Sequence, residues 1–413
     1  MAEARRRYAL VGTGNRGTKM WGRDLLAGWS DFVELVAICE TNPLRGERAR
    51  AIMGSTAPIY ADFDHLLAEA KPDLVIVCTP DYTHDDIIVK ALDFGCDVIA
   101  EKPMTTTPEK IRRIMEAEKR SGRKVDVSFN YRFAPTSAKI KELLSAGAIG
   151  TVTSVDFHWY LDTRHGADYF RRWHAYRKNS GSLFVHKSTH HFDLLNWYLD
   201  TEPEAVSAFG ELRNYGKAGP FRWVRCKTCP YKAECNYYFD LASDPFLDAL
   251  YEEPSQHDGY FRDACVYRED IDIPDTMTAT IRYRNQVTAS YSVSTYMPIE
   301  GHFIAFNGTM GRLELRQYED QPWETPPSDE ILLIRNFGGG VEHIFVPHQP
   351  GGHYGGDDRM RNMIFKPGME DALKQRADSR AGAMSVLCGV AAMESVRAGR
   401  MVRIGDLMPE LAG

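Results

Sequence analysis

The sequence predicts an α/β protein: a doubly wound parallel sheet at the N-terminus, then a second α/β domain on a large, mostly antiparallel open sheet. Three observations carry this expectation. Continuous apolar runs alternate with amphipathic stretches through the first 130 residues. A glycine-rich turn follows the first of those runs. Past Asn130 the pattern changes to alternation of apolar and polar residues.

Tyr8 to Val11 reads as a strand and Arg16 to Leu26 as a helix after the glycines. Leu35 to Cys39 and Leu74 to Cys78 are further apolar strands. A helical pattern over Ile87 to Leu92 stops at Gly95, a residue suited to a left-handed cap. Val98 to Ala100 and Val125 to Phe129 complete the first sheet. In the second half Val155, Phe157 and Trp159 alternate with Ser154, Asp156 and His158, and the same rhythm returns at Met277 to Tyr283 and Val287 to Val293. Shorter runs stand at Arg312 to Arg316 and Ile331 to Ile334. Arg380 to Ala398 is a helix, followed by a short strand at Met401 to Ile404.

At 413 residues the chain exceeds one ordinary core, so two domains are expected. A composition of 43% hydrophobic and 26% charged residues is that of a soluble globular protein. The formal net charge of -7 argues against a nucleic-acid binder, which needs a basic surface. The opening MAEARRRYALVGTG has too short an apolar run for a secretory signal or a membrane span. Cys39, Cys78, Cys96 and Cys388 lie in apolar surroundings, and nothing demands an oxidising compartment. A cytoplasmic protein is expected.

Gly12-Thr13-Gly14-Asn15-Arg16-Gly17 is a G-x-G-x-x-G between strand and helix. There the glycines serve a tight turn, close backbone approach to a pyrophosphate, and helix–strand packing, with the helix N-terminus facing the phosphates. This assigns residues 1–130 to a Rossmann dinucleotide-binding domain and leaves 131–413 as the second domain, with 217–265 as a cysteine-containing excursion. Glu40 closes the second strand, where a carboxylate bonds ribose hydroxyls and repels a 2′-phosphate, favouring NAD. Arg45 pulls the other way, because a nearby arginine can serve that phosphate.

Three more motifs sit at strand ends: Thr79-Pro80 with His84 following, Glu101-Lys102-Pro103, and Asn130-Tyr131-Arg132-Phe133. Open α/β sheets bind ligands at that edge. Taken in this order with the glycine motif, the chain resembles the Gfo/Idh/MocA oxidoreductases over essentially its whole length, Trp173 and Gly181 to Asp193 included. The resemblance implies hydride transfer between NAD(P) and a sugar, inositol or related polyol, with the E-K-P lysine, Lys102, between nicotinamide and substrate. It also implies cofactor contacts from Thr79, Pro80, His84, Glu101, Asn130 and Arg132, a Trp173 beside nicotinamide, a second domain that binds substrate, and oligomer contacts through the C-terminal sheet. A few branches of the family cleave glycosides by transient oxidation on tightly held NAD.

Alcohol oxidation needs a proton acceptor and a cation for the developing alkoxide. Lys102 suits the second need and can relay the proton. In the family frame D-x-G-x-H, His190 falls at the histidine and inherits the acid/base role, while His186 stands where the aspartate is usual. Lys187 is a further candidate to hold a substrate oxygen. If the stretch is one helix, His186, His190 and Asp193 share a face, which also permits the two histidines to ligate a metal; His191 reads as a core residue. Arg164, His165, Arg171, Arg172, His174, Arg177 and Lys178 form a cationic stretch opposed only by Asp168. That stretch is either a solvated face or a seat for an anionic substrate group, with Arg132, Arg172 and His174 as substrate contacts. His353 to Asp358 is a glycine-flanked loop able to close over substrate.

Cys226-x2-Cys229-x5-Cys235, with Cys265 thirty residues later, supplies four thiols in a polar segment. Structural zinc is the first expectation, with an iron–sulfur cluster, disulfides or free thiols as alternatives. The leading functional expectation is an NAD-dependent oxidoreductase acting on a secondary hydroxyl of a sugar or sugar derivative. Its rivals are an NAD-dependent redox glycosidase and a non-catalytic dinucleotide sensor. The expected partners are a carbohydrate and further copies of the chain, without nucleic acid or membrane.

Overall fold

The computed structural model describes residues 5–411. Residues 1–4, the start of the stretch read for a leader, and 412–413 lie outside the described residues. The first sheet contains β1 (Arg6–Val11), β2 (Val33–Cys39), β3 (Ile59–Tyr60), β4 (Leu74–Val77), β5 (Asp97–Ala100) and β6 (Val125–Val127). The second contains β7 (Val152–Asp162), β8 (Pro203–Glu211), β9 (Thr276–Tyr283), β10 (Thr288–Met297), β11 (Glu300–Gly308), β12 (Gly311–Asp320), β13 (Ser328–Arg335) and β14 (Val341–Pro347). Two short late strands, β15 (Ala377–Asp378) and β16 (Val402–Arg403), close the edge of each sheet.

The order of the first sheet, β15-β6-β5-β4-β1-β2-β3, reverses direction of travel at β1, so a crevice opens beyond the carboxyl ends of β1 and β4. All its pairings are parallel except β15 on β6. Strands buried on both faces need no polar alternation, which is why β4 reads Leu74-Val-Ile-Val77 and is wholly buried. The second sheet runs β14-β13-β12-β11-β7-β10-β9-β8-β16 and is antiparallel except for β7 beside β10. Its alternating burial, as in β9 and β10, puts one face on the helices Ser188–Leu199 and Ser379–Ala398 and turns Thr, Ser, His and charged side chains outward. Among the described residues no helix is long and apolar enough to cross a membrane.

Four strands have weaker sequence signals. β3 has two residues, β14 is exposed along most of its length, and β8 and β11 carry glycine or proline. Gly181 to Asp193 is not one helix: Leu183–His186 and Ser188–Leu199 are separate, and the joint is Lys187. The excursion between β8 and β9 does not form a core of its own. Its helix Pro245–Tyr251 sends Leu247, Leu250 and Tyr251 into the core that covers one face of the first sheet, among Trp21, Met53 and Leu10. Burying three such side chains contributes roughly 1.5–3 kcal/mol each, enough to dock the segment across the domain boundary.

Candidate active site

The glycine loop is shaped by contact. Gly12 has φ +90° and lies so close to the end of β4 that a Cβ would sit 2.8 Å from the Cys78 carbonyl group. At Gly17 a Cβ would come within 2.2 Å of the Gly12 carbonyl oxygen, so the helix can pack on the strand only without a side chain. Thr13 donates its amide and hydroxyl to Glu40 Oε2 at 3.0 and 2.8 Å, and the Asn42 amide donates to Oε1 at 3.0 Å. Glu40 therefore faces the loop from the end of β2, the place a ribose carboxylate requires.

Arg45 is not available for a 2′-phosphate. Its guanidinium bonds Asp258 at 2.7 Å and the Leu250 carbonyl at 3.3 Å, and lies over the rings of Tyr251 and Tyr260. Arg16 is likewise committed, to Glu101 at 2.8 Å and to both oxygens of Asp357 at 3.2 Å. Trp21 completes the Glu101 carboxylate at 2.8 Å, and these donors hold its pKa below the ordinary value despite burial. The ring nitrogens of His84 lie 2.8 and 3.0 Å from the carbonyl oxygens of Thr79 and Pro103, tying two strand-end loops together. Thr79 Oγ1 also accepts from the Thr83 hydroxyl at 2.7 Å, beyond Pro80. Asn15 offers its amide to an acceptor that sequence reasoning missed: the Tyr251 hydroxyl, at 2.9 Å.

At the next strand ends the chemistry concentrates. Lys102 Nζ donates to the His186 carbonyl oxygen at 3.2 Å and stands 3.4 Å from His186 Nε2. His186 Nδ1 bonds Asp81 Oδ2 at 2.6 Å. Asp81 directly follows Thr79-Pro80 at the ligand edge, a position that alone could have nominated it. Burial is the largest influence on each group: it pulls the Lys102 ammonium down to about 8, pushes Asp81 up and pulls His186 well down. The result is a buried carboxylate–imidazole–amine chain spanning both domains.

His190 lies elsewhere in the cleft, edge-on to Tyr131 at 4.9 Å between ring centroids and to Phe129 at 6.0 Å. Its Nδ1 is buried without a hydrogen-bond partner among the described residues. Lys187 Nζ sits 4.9 Å from the Trp159 ring and 5.8 Å from Tyr131. Burial lowers its pKa, and Glu300 and Glu319 oppose that shift. Tyr131 donates to Glu319 at 3.3 Å. Trp173 stacks on His174 at 3.6 Å, and both adjoin His186. His174 Nδ1 and Arg172 Nε are buried and unpartnered among the described residues, and the buried Tyr354 hydroxyl faces Glu319. Tyr354 belongs to the expected closing loop, where Asp357 reaches Asn130 at 2.5 Å and His353 meets the Tyr131 ring at 5.1 Å.

Other residues expected at the site are held by protein partners. Arg132 forms a buried pair with Asp193 at 2.5 Å and bonds the carbonyls of Lys374 and Arg376, a clasp behind the cleft. The cationic stretch does not form one anion seat. Arg164 pairs at the surface with Asp320, Arg171 points into the cysteine segment, Arg177 and Lys178 are exposed, and Arg172 bonds Asp168 at 3.0 Å. A metal shared by His186 and His190 is also not formed. Asp81 already takes His186 Nδ1, and no group of three or more His, Cys, Asp or Glu able to hold an ion stands among the described residues. The same finding applies to a tight zinc site at Cys226, Cys229, Cys235 and Cys265. His191 is a core residue, stacked on Trp159 at 4.1 Å and bonded to Tyr291 at 2.7 Å.

A glycine-loop Rossmann half, joined to an open sheet across a cleft holding a lysine–histidine–carboxylate chain, defines a nicotinamide-dependent oxidoreductase. Residues 6–129 match the oxidoreductase family's NAD-binding Rossmann fold and residues 141–404 its C-terminal alpha/beta domain, so the chain belongs to the Gfo/Idh/MocA family. YteT of Bacillus subtilis (strain 168), named as an oxidoreductase, is 37% identical over 420 residues, spanning 96% of this chain and 97% of that protein. D-glucoside 3-dehydrogenase of Escherichia coli (strain K12) is 30% identical over 146 residues, 35% of this chain and 41% of its own length. Levoglucosan dehydrogenase, solved with NADH and levoglucosan, superposes with a TM-score of 0.70 at 18% identity over 97% of this chain and 100% of that chain. At that identity the likeness is one of fold.

Proposed function

We propose that the protein is an NAD-dependent oxidoreductase of a neutral sugar or sugar derivative, acting on a secondary hydroxyl. The observation that carries this reading is the Asp81–His186–Lys102 chain at the ligand edge. Glu40 at the glycine loop, together with an Arg45 spent on Asp258, supports NAD over NADP. NAD, held by the Gly12–Gly17 loop and Glu40, would supply the hydride acceptor for the carbinol carbon. Lys102 takes the hydroxyl proton; at pH 7 about one-tenth of an amine with a pKa of about 8 is neutral and competent. His186 positions that amine, its carbonyl oxygen accepting from Nζ and its Nε2 standing beside it, and Asp81 fixes the imidazole through Nδ1.

The unpartnered buried ring nitrogens of His174 and His190 suit hydroxyl groups, and the arginine near them, Arg172, pairs with Asp168 although its Nε has no partner among the described residues. His190 then binds a substrate hydroxyl rather than moving the proton. The outward face of the second sheet, with Phe303 on β11 and Phe345 on β14, supports association with a further copy. Incubation with neutral sugars, their uronates and aryl glycosides, following NADH absorbance and aglycone release, tests the reading. NADH formed stoichiometrically with a neutral sugar supports it; turnover confined to uronates, or NADP preferred to NAD, would sink it.

One observation favours a second reading, redox-neutral glycoside cleavage on retained NAD. The excursion is bonded across the adenosine end of the cleft, Asn42 donating to the Pro254 carbonyl at 2.9 Å and to Asp258 at 2.7 Å, and Arg48 pairing with Glu253. A roof there slows cofactor exchange. Aglycone release without net NADH, from protein that retains NAD through desalting, would select this reading.

A further inference from the structure

The loop His353 to Asp358 is built into the cleft more firmly than its glycines suggest. Gly356 packs on the turn Asn130–Phe133 so closely that a Cβ would sit 2.6 Å from the Asn130 carbonyl oxygen. The helix that follows, Gly356–Phe365, is tied to the Rossmann domain: Arg361 donates to the Met20 carbonyl at 3.0 Å, and Asn362 accepts from the Trp29 indole at 3.1 Å. The loop is thus anchored from both sides.

Its centre has a conformation that side chains resist. His353 has φ +50° and Tyr354 φ +57°, two successive left-handed residues, neither of them glycine. Histidine enters that region more readily than most residues, whereas a ring as bulky as tyrosine is an outlier there. Such geometry persists only where the surroundings over-determine it, and it gathers at ligand sites. Here it lets the loop straddle Tyr131. The His353 ring meets the Tyr131 ring edge-on at 5.1 Å, while the Tyr354 hydroxyl faces Glu319, which accepts from the Tyr131 hydroxyl at 3.3 Å.

His353 is oriented at one nitrogen and open at the other. Its Nδ1 lies 3.3 Å from Asp357 Oδ2. Arg16 bonds both Asp357 oxygens at 3.2 Å and Asn130 bonds one at 2.5 Å. Burial opposes ionisation of that carboxyl, but Arg16 and His353 hold it far below the ordinary carboxylate range. An ionised Asp357 draws the ring proton to Nδ1 and leaves Nε2 as an acceptor. Among the described residues Nε2 has no hydrogen-bond partner. The side chain is 31% exposed and opens beside His190, 6.4 Å away between ring centroids, whose buried Nδ1 is also unpartnered. Two unused ring nitrogens side by side match neighbouring hydroxyls of one sugar, each hydroxyl being both donor and acceptor. An acceptor nitrogen cannot bond a carboxylate oxygen.

We infer that His353 is a substrate-binding residue whose Nε2 accepts a hydrogen bond from a sugar hydroxyl other than the one oxidised, and that Asp357 positions it. The oxidised hydroxyl belongs to Lys102, which meets His186. The inference rests on the proposed sugar substrate and adds a link to it: one carboxylate, Asp357, holds both the substrate contact and Arg16 of the glycine loop.

Steady-state kinetics with NAD test it, first on neutral aldoses, their methyl glycosides and inositols, then on the monodeoxy forms of the sugar turned over best. His353→Asn suits the purpose, because asparagine tolerates the left-handed backbone but falls short of the hydroxyl. KM for the parent sugar should rise about 2–10-fold, the range of one net hydrogen bond, with kcat held within about 2-fold. One monodeoxy sugar should show that rise already in the wild-type protein and no further rise in the variant. Asp357→Asn should raise KM similarly, and in the double variant the two rises should not multiply. A KM raised alike for the parent sugar and every monodeoxy form would mark a structural fault and overturn the assignment. So would an unchanged KM in His353→Asn, or a fall in kcat at constant KM. If the wild-type protein turns over no neutral sugar, the failure is that of the substrate reading, and the hydroxyl assigned to His353 goes with it.

Discussion

Lys102 and Asp81 stand at the carboxyl ends of β5 and β4, strands buried on both faces and bonded to neighbours on both sides. The cysteine segment, by contrast, is held by 3-10 turns, one isolated bridge and a helix of seven residues. The first region has its geometry before any ligand arrives, because the sheet's hydrogen bonds set the strand ends and burial orients what projects from them. The second has too little backbone pairing and too small a core to order itself. It borrows order from the Rossmann core, on which Leu247, Leu250 and Tyr251 are docked. Catalytic precision and structural dependence are thus divided between a rigid edge and a docked excursion, which meet at Tyr251 and Asn15.

The largest effects should come from the rigid edge. Lys102→Ala and His186→Ala should each lower kcat by about 10²–10⁴-fold, with NAD affinity nearly unchanged. The losses should not multiply in the double variant, because both residues serve one proton transfer. Asp81→Asn should cost on the order of 10²-fold or more by unsettling the imidazole tautomer. His190→Ala should act mainly on KM. Steady-state kinetics decide this: if His190→Ala loses more kcat than His186→Ala, the acid/base role returns to His190, as the family frame implies.

A smaller effect should appear in the pH profile. Lys102 acts as a base only when neutral, and burial holds its pKa down to about 8. The oxidation rate should therefore rise as pH climbs through about 8 and then level off. A rate already flat from pH 6 to 9, with chemistry shown to be limiting by substrate deuteration, would remove Lys102 as the titrating base.

The smallest effect should come from the junction. The Tyr251 hydroxyl occupies the Asn15 amide where a phosphate oxygen would accept, so the excursion competes with cofactor for one hydrogen bond. A typical net hydrogen bond contributes about 0.5–1.5 kcal/mol, so Tyr251→Phe should tighten NAD binding by about 2–10-fold in calorimetric titration. Weaker binding would show instead that the hydroxyl supports the cofactor, making the excursion a clasp rather than a competitor.

Much of this was readable in advance, for identifiable reasons. The glycine motif, Glu40 and Lys102 lie within short segments whose periodicity fixes both the element and the edge at which it ends. Asp81 was equally accessible, one residue beyond a motif already singled out. The basic stretch misled because charge in sequence says nothing about partners: Asp168 and Asp320 neutralise two of its arginines, one of them from 156 residues away. Tyr251 carried no signal, since an aromatic residue on a short helix reads as core until its hydroxyl is seen to meet Asn15.

The sequence by itself determined the two-sheet α/β architecture, the glycine cradle and the lysine at the ligand edge. These follow from hydrophobic period, turn chemistry and strand-end position, all of which act over a few residues. Only the tertiary structure decided that His186 rather than His190 meets Lys102, and that Arg45 and Arg132 are spent on Asp258 and Asp193. Those outcomes depend on contacts between residues 61 to 213 positions apart, as in Arg132–Asp193 and Arg45–Asp258. Local pattern cannot encode which of two buried histidines a neighbouring domain will face; packing across the cleft does.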